Sequence, residues 1–259
     1  MKELVKNLYN YRLLLKSNIK KEIRGKYKAS FLGILWSFIN PLLTAIIYAI
    51  VFPFILKSTE PHYVTFIIIG ILPWTYFTTA IMQGTTTILA NASIIKKVYF
   101  PREILPIAVN TSALINFLIS CVIICLFLIF SGIGFSGYIL FLPLIILVQY
   151  ILQLGIILIT SAIEIYVRDA EYIINFFVTM LFYATPIVYS AKMFSGSSVE
   201  WLIHLNPMAT IINSYRNILF YQTMPEIKSL LITFVGSIVL LLVGFKIFNK
   251  LQKGFAEEV

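Results

Sequence analysis

The sequence predicts an all-α membrane protein. Six transmembrane helices follow an N-terminal amphipathic interface helix, an external re-entrant helical hairpin lies between spans 5 and 6, and both termini are cytoplasmic. Three observations carry this expectation. From Ile104 to Ile163 sixty residues pass without one charged side chain. A helix needs about 20 apolar residues to cross ~30 Å of hydrocarbon, so the run holds two crossings and a turn. Second, 59% of the 259 residues are hydrophobic and 12% charged, with a mean hydropathy of +0.92, outside the range of ordinary globular domains. Backbone groups in lipid must bond within their own segment, and runs without strand-like alternation fit helices, not a barrel. Third, Lys and Arg are distributed unevenly along the chain, and this sets the topology.

The first element is residues 1–28. Leu4, Leu8, Tyr11, Leu15, Ile19 and Ile23 recur three or four apart, with Lys and Arg between them. That pattern is too polar to span and suits a helix lying in the cytoplasmic interface against anionic headgroups. No apolar h-region of a cleavable signal peptide is visible there. Spans are then predicted at 30–56, 63–92, 104–131, 139–164, 172–191 and 229–247. The break in the long uncharged run falls at Gly132, Gly134 and Gly137, which mark a turn. Glu164 and Arg168, four apart, suit a helical ion pair.

Residues 201–222 are apolar enough to enter the bilayer, yet Asn206-Pro207 divides them and Arg216 charges the second part. The positive-inside rule decides their placement. With six spans, sixteen of the 20 Lys/Arg share the side of both termini, leaving Lys57, Lys192, Arg216 and Lys228 opposite. A seventh span would move Lys246, Lys250 and Lys253 outside. Residues 193–222 are therefore expected to form the external hairpin, and 1–259 a single transmembrane domain.

Several chemistries are missing. No carboxylate falls inside a predicted span except Glu164 at its inner end, which disfavours ion-coupled carriage and leaves no acid cluster for metal-bound nucleotide sugars. His62 and His204 are isolated. Cys121 and Cys125, four apart on one helix face, suit neither a disulfide nor a metal site and read as packing residues. Gly132 to Gly137 matches G-x-G-x-x-G, but it joins two membrane spans where a dinucleotide site needs a strand and a solvated helix. No G-x-x-x-x-G-K-[ST] occurs, so energy from ATP must come through another polypeptide. No catalytic, cofactor or metal residues are expected.

The loop after the second span carries the clearest functional signal. Ile94 to Phe100 reads as a short amphipathic helix, and Pro101, Arg102 and Glu103 start the third span. Val98, Tyr99 and Phe100 beside Lys96, Lys97 and Arg102 suit docking into a groove on a soluble partner. A plain basic loop would not need three consecutive apolar residues.

Residues 26–41, KYKASFLGILWSFINP, resemble the junction of interface helix and first span in permease subunits of type-2 ABC exporters. They are similar, more narrowly, to the branch exporting lipid-linked polysaccharides such as O-antigen, capsule and teichoic acid. Residues 97–108 (KVYFPREILPIA), Tyr166 to Asp169, Leu205-Asn206-Pro207 and Tyr215-Arg216 add to the resemblance in the expected order. It implies a homodimer in a bacterial cytoplasmic membrane, bound to two copies of a separate ATPase that holds the ATP and Mg. It further implies a coupling helix at 94–103, glycan and lipid headgroup entering near Leu32 and Gly33, and an external gate with Asn206, Pro207, Tyr215 and Arg216. No nucleic-acid partner is expected.

The resemblance also implies a continuous aromatic channel drawing on spans one, two and five. Phe38, Tyr48, Phe52, Trp74, Tyr76 and Phe77 are candidates, with Asn40, Thr44, Thr78 and Thr79 as polar partners. Sugars present apolar C–H faces to rings, and a sliding strand needs weak repeated contacts without a deep well. Taken singly, each ring reads as an interfacial belt or packing residue; the channel reading belongs to the group. Gly33/Ser37 and Ala45/Ala49 are small pairs suited to close helix approach. The rival readings are a permease for a drug or lipid, a membrane-embedded enzyme, and a non-transporting scaffold.

Overall fold

The computed structural model describes residues 7–27, 31, 33–56, 61–194, 196 and 200–258. Leu32 and the first residues of the interface helix, Leu4 among them, lie outside this set. Among the described residues the regular structure is helical throughout. Helix α1 is Arg12–Tyr27, α2 Trp36–Leu56, α3 Tyr63–Thr85, α4 Ile104–Phe130, α5 Leu142–Glu164 and α6 Ala170–Tyr183. After them come α7, Glu200–Leu205, α8, Pro207–Leu219, α9, Ile227–Leu251, and a last turn, α10, at Phe255–Glu258. Among the described residues, four segments are long and apolar enough to cross a membrane: Tyr63–Thr85, Ile104–Phe130, Gly137–Glu164 and Ile227–Gly254. Phe38–Phe52 within α2 and Ala170–Tyr183 are apolar but shorter. The chain is a multi-pass helical membrane protein.

Helix α3 is the centre of the bundle. Residues Thr65 to Trp74 along it are all buried, and α2, α4, α5, α6 and α8 pack around it. Its Pro73 cannot donate a backbone hydrogen bond; Gln149 of α5 ties the two helices there, its Nε2 donating to the Pro73 carbonyl at 2.8 Å. The tightest pairing is α5 with α9. A Cβ on Gly155 would stand 2.9 Å from the Leu241 nitrogen, and one on Gly244 only 2.5 Å from the Gly155 carbonyl oxygen. The two glycines let backbones meet where any side chain would hold them apart.

A second, smaller core closes the end of the bundle that carries Lys96 and Lys97. Ile95, Phe100, Leu105, Leu158, Phe248 and Phe255 are buried in it, with Tyr11, Leu14 and Leu15 of the α1 region against its edge. Of the residues in the expected apolar stripe, Leu8, Tyr11 and Leu15 lie against this core.

Three boundaries and one expected helical pair differ from expectation. The second span ends at Thr85, and residues 86–95 continue as two short turns, Thr87–Ala90 and Ala92–Ile95. The coupling helix is not a helix over 94–103: only Ile94 and Ile95 are helical, and residues 98–101 run without regular structure because Pro101 disfavours helix at the residue before it. The fifth helix stops at Tyr183, short of 191, ahead of Pro186 for the same reason. Helix α5 ends at Glu164, so the four-residue spacing to Arg168 does not fall on a helix.

Candidate functional site

Three groups of residues stand out, and sequence-predicted positions contribute to all of them. The first is an aromatic cluster where α2, α3 and α6 meet. Tyr48 packs edge-on to Phe52 at 5.3 Å between ring centroids and tilts against Phe182 at 6.0 Å. Trp74 meets Phe77 at 5.2 Å and Phe182 at 5.7 Å, and Phe182 touches Tyr183 at 5.4 Å. Four of the six candidate rings thus converge through Phe182, a residue the sequence reading did not name although it named the fifth span. Phe38 is half-buried at the start of α2 and packs on the same core. Tyr76 points elsewhere: it stacks on Phe117 at 5.1 Å with planes 12° apart, on the α4 side of α3. Trp74 and Tyr76 are two apart, and two steps of 100° swing a side chain to another helix face.

The polar candidates near the cluster are unevenly placed. Asn40 is exposed, and its carbonyl accepts the Thr44 hydroxyl at 2.9 Å. Thr78 keeps a buried hydroxyl with no partner, while Thr79 is half-buried. Gly33 opens a single 3-10 turn, Gly33–Leu35, at φ +50°, a left-handed conformation glycine adopts freely. Phe31 beside it is fully exposed.

The second group is a buried polar latch built from the Asn206-Pro207 break. Asn206 caps α8: its Oδ1 accepts the Met208 and Ala209 amides at 3.0 and 3.4 Å, while Pro207 occupies the first helical turn, where no amide hydrogen is needed. The Asn206 Nδ2 reaches back to the Thr185 hydroxyl at 2.8 Å and the Ala184 carbonyl at 3.3 Å. Ten residues on, Arg216 is 1% exposed. Its guanidinium donates to the carbonyls of Pro186, Ile187 and Tyr189 and lies 3.5 Å from the Phe66 ring centroid. Tyr63 adds a hydroxyl on the Val188 carbonyl at 2.5 Å. The irregular backbone at 184–189 is thereby satisfied by side chains, which non-helical chain inside a bundle requires. Tyr215 turns from this segment to α5, its hydroxyl donating to Gln149 Oε1 at 3.0 Å. Gln149 and Thr185 were missed from sequence; two glutamines four apart, Gln149 and Gln153, in an uncharged run were the available signal.

The third group is the loop 96–103. Tyr99 is 92% exposed and Val98 56%, with Lys96 and Lys97 exposed beside them. Phe100 is instead buried, at 5%, and Arg102 turns inward, donating to the Gln252 carbonyl. The loop therefore offers Lys96 to Tyr99 outward and withholds Phe100 and Arg102. The described residues contain no cluster of three metal-ligating side chains.

Comparison with known proteins agrees with this architecture. Residues 14–220 match the family described as ABC-2 type transporter. Over 260 residues, covering 100% of both chains, the sequence is 32% identical to the O-antigen export system permease protein RfbA of Myxococcus xanthus. Two proteins of that name from Klebsiella pneumoniae are 35% and 34% identical over 238 residues, 92% of this chain and 91% of theirs. A bundle of apolar helices without nucleotide-binding sequence, matched over most of its length, places this chain in the ABC-2 type transporter family as a membrane subunit.

Proposed function

We propose that this chain is the transmembrane subunit of an ATP-driven exporter that moves a lipid-linked polysaccharide of the O-antigen type across a bacterial cytoplasmic membrane. The observation that carries this reading is its end-to-end similarity to three O-antigen export permeases. In this reading ATP and Mg are held by a separate subunit, a division supported by a sequence that carries no P-loop motif. Similarity along the whole length favours a glycan over a drug or small lipid, and over an enzyme or scaffold.

In this reading the working unit is two copies of the chain and two ATPases. Helices α2 and α6 are counted with the four longer segments as six spans. The external re-entrant hairpin is the one expected at 193–222, to which α7 and α8 belong, and the end bearing Lys96 and Lys97 faces the cytoplasm. Tyr48, Phe52, Trp74, Phe77, Phe182 and Tyr183 line the path; their rings offer apolar faces to sugars of any sequence. The latch around Asn206 and Arg216 fixes the chain that follows Phe182 and Tyr183, and so sets the outer end of that path. Lys96 to Tyr99 dock on the ATPase.

The test is to purify the chain with its partner ATPase and measure ATP hydrolysis with and without lipid-linked glycan. Stimulation by the glycan is expected. Retention of the ATPase with no response to any lipid-linked glycan would remove the substrate class, and failure to retain an ATPase would remove the function.

A further inference from the structure

Resting on the docking role proposed above for residues 96–99, we infer that the segment following α9, Gln252 to Glu258, is a lock that holds the docking loop rigid and passes its motion to the last span. Arg102 is its positioning residue. Five contacts build the lock. The Arg102 guanidinium donates to the Gln252 carbonyl, at the point where α9 gives way to a 3-10 turn. Its Cζ also sits 5.7 Å from the centroid of Phe255, a ring with no exposed surface. Phe255 is wedged edge-on against Phe248 at 5.4 Å and faces Tyr166 at 6.4 Å. Finally, the Tyr166 hydroxyl donates to the Leu251 carbonyl at 2.8 Å and fills the space where a Cβ on Gly254 would lie, 2.6 Å away.

The loop is also held on its other side, where Asn7 donates to Glu103 Oε1 at 3.0 Å, and from beneath by buried Phe100. What remains free to meet a partner is Lys96 to Tyr99, on a support tied down through Phe100, Arg102 and Glu103. A loop joined only to α3 and α4 would deliver a push to those helices alone. Through Arg102 the push also reaches the base of α9. Helix α9 is in backbone contact with α5 at Gly155 and Gly244, so it cannot yield without moving α5.

The experiment compares the wild-type chain with Arg102→Gln, Arg102→Lys, Phe255→Leu and the double change Arg102→Gln/Phe255→Leu. Two readouts are used: trypsin cleavage after Lys96 and Lys97 in the purified permease, and glycan exported per ATP in the assembled complex. A hydrogen bond from a charged donor contributes enough that Arg102→Gln should speed cleavage roughly tenfold or more. Arg102→Lys, which keeps charge and donor, should fall between. Export per ATP should drop while the ATPase stays bound, an uncoupling that general loss of fold would not produce. Because the two residues share the Arg102–Phe255 contact, the double change should add up to less than the sum of the single ones. Phe255→Leu keeps the apolar volume, so the contact can be tested with the core filled. Cleavage and coupling equal to wild type in Arg102→Gln, or fully additive effects, would overturn the lock. If the wild-type chain retained no ATPase, the docking role would fall, while the cleavage comparison would still decide whether the segment restrains the loop.

Discussion

Arg216 is a cation in an apolar bundle, and its surroundings explain why it is tolerated. An isolated guanidinium there would be very costly, but this one gives its hydrogens to three backbone carbonyls and its face to Phe66. Those carbonyls belong to an irregular turn with no helical partners, so the residue and the turn each remove the other's penalty. Arg216→Leu should cost about 3 kcal/mol, because three buried acceptors lose their donor at once. In detergent the midpoint of thermal unfolding should fall by roughly 5–10 °C. Arg216→Lys should lose most of this too, since an ammonium cannot span the fork; an unshifted midpoint in both would mean the turn is held by other groups. Gly70 belongs to the same argument. A methyl there would stand 2.8 Å from the Arg216 guanidinium and 2.9 Å from the Ile187 carbonyl oxygen, so Gly70→Ala should displace the latch by crowding it, with every one of its polar groups still present.

At the scale of elements, the α5–α9 pair and the 96–103 loop make separable predictions. Gly155→Leu drives a side chain into the backbone at Leu240 and Leu241, an overpacking that costs about 1–3 kcal/mol. Gly236→Leu, on the same α9 but with open space around its Cβ, should be close to neutral in the same melting experiment; equal losses would deny the close approach. In the loop, Tyr99→Asp should abolish retention of the ATPase with the melting midpoint unchanged. Phe100→Asp buries a charge in the small core and should lower the midpoint sharply. Before the structure the two rings were equivalent, since adjacent residues in an amphipathic stretch give no sign of which one faces inward. Four of the expected spans were legible because apolar length alone reports them, and the Asn206-Pro207 break because each residue has a fixed role at a helix start. What Arg216 and Gln149 hold was not legible. Their partners lie 30 and 76 residues away in sequence, and no local pattern encodes such a meeting.

For the whole molecule, the six-span reading makes the two ends of the bundle chemically opposite, and this can be checked without transport. In a chain whose Cys121 and Cys125 are replaced by serine, a cysteine placed at Lys253 should react with an impermeant thiol reagent only after the membrane is opened. One placed at Lys228 should react in intact cells. The transport claim then turns on how strongly the aromatic path holds its cargo. One ring contact is worth about 0.5–1.5 kcal/mol beyond the area it buries, which corresponds to a factor of roughly 2–10 in rate. Trp74→Ala or Phe182→Ala should therefore slow glycan export by that factor and no more, with the ATPase still bound and still hydrolysing ATP. A strand that slides past many such contacts crosses many small barriers, so removing one ring raises only one of them. A single specific binding pocket would behave differently, because losing its main ring would abolish export of a short glycan and a long one alike. Export assayed with both lengths separates the two: graded slowing supports a sliding path through Tyr48, Trp74, Phe77 and Phe182, and an all-or-none loss rejects it.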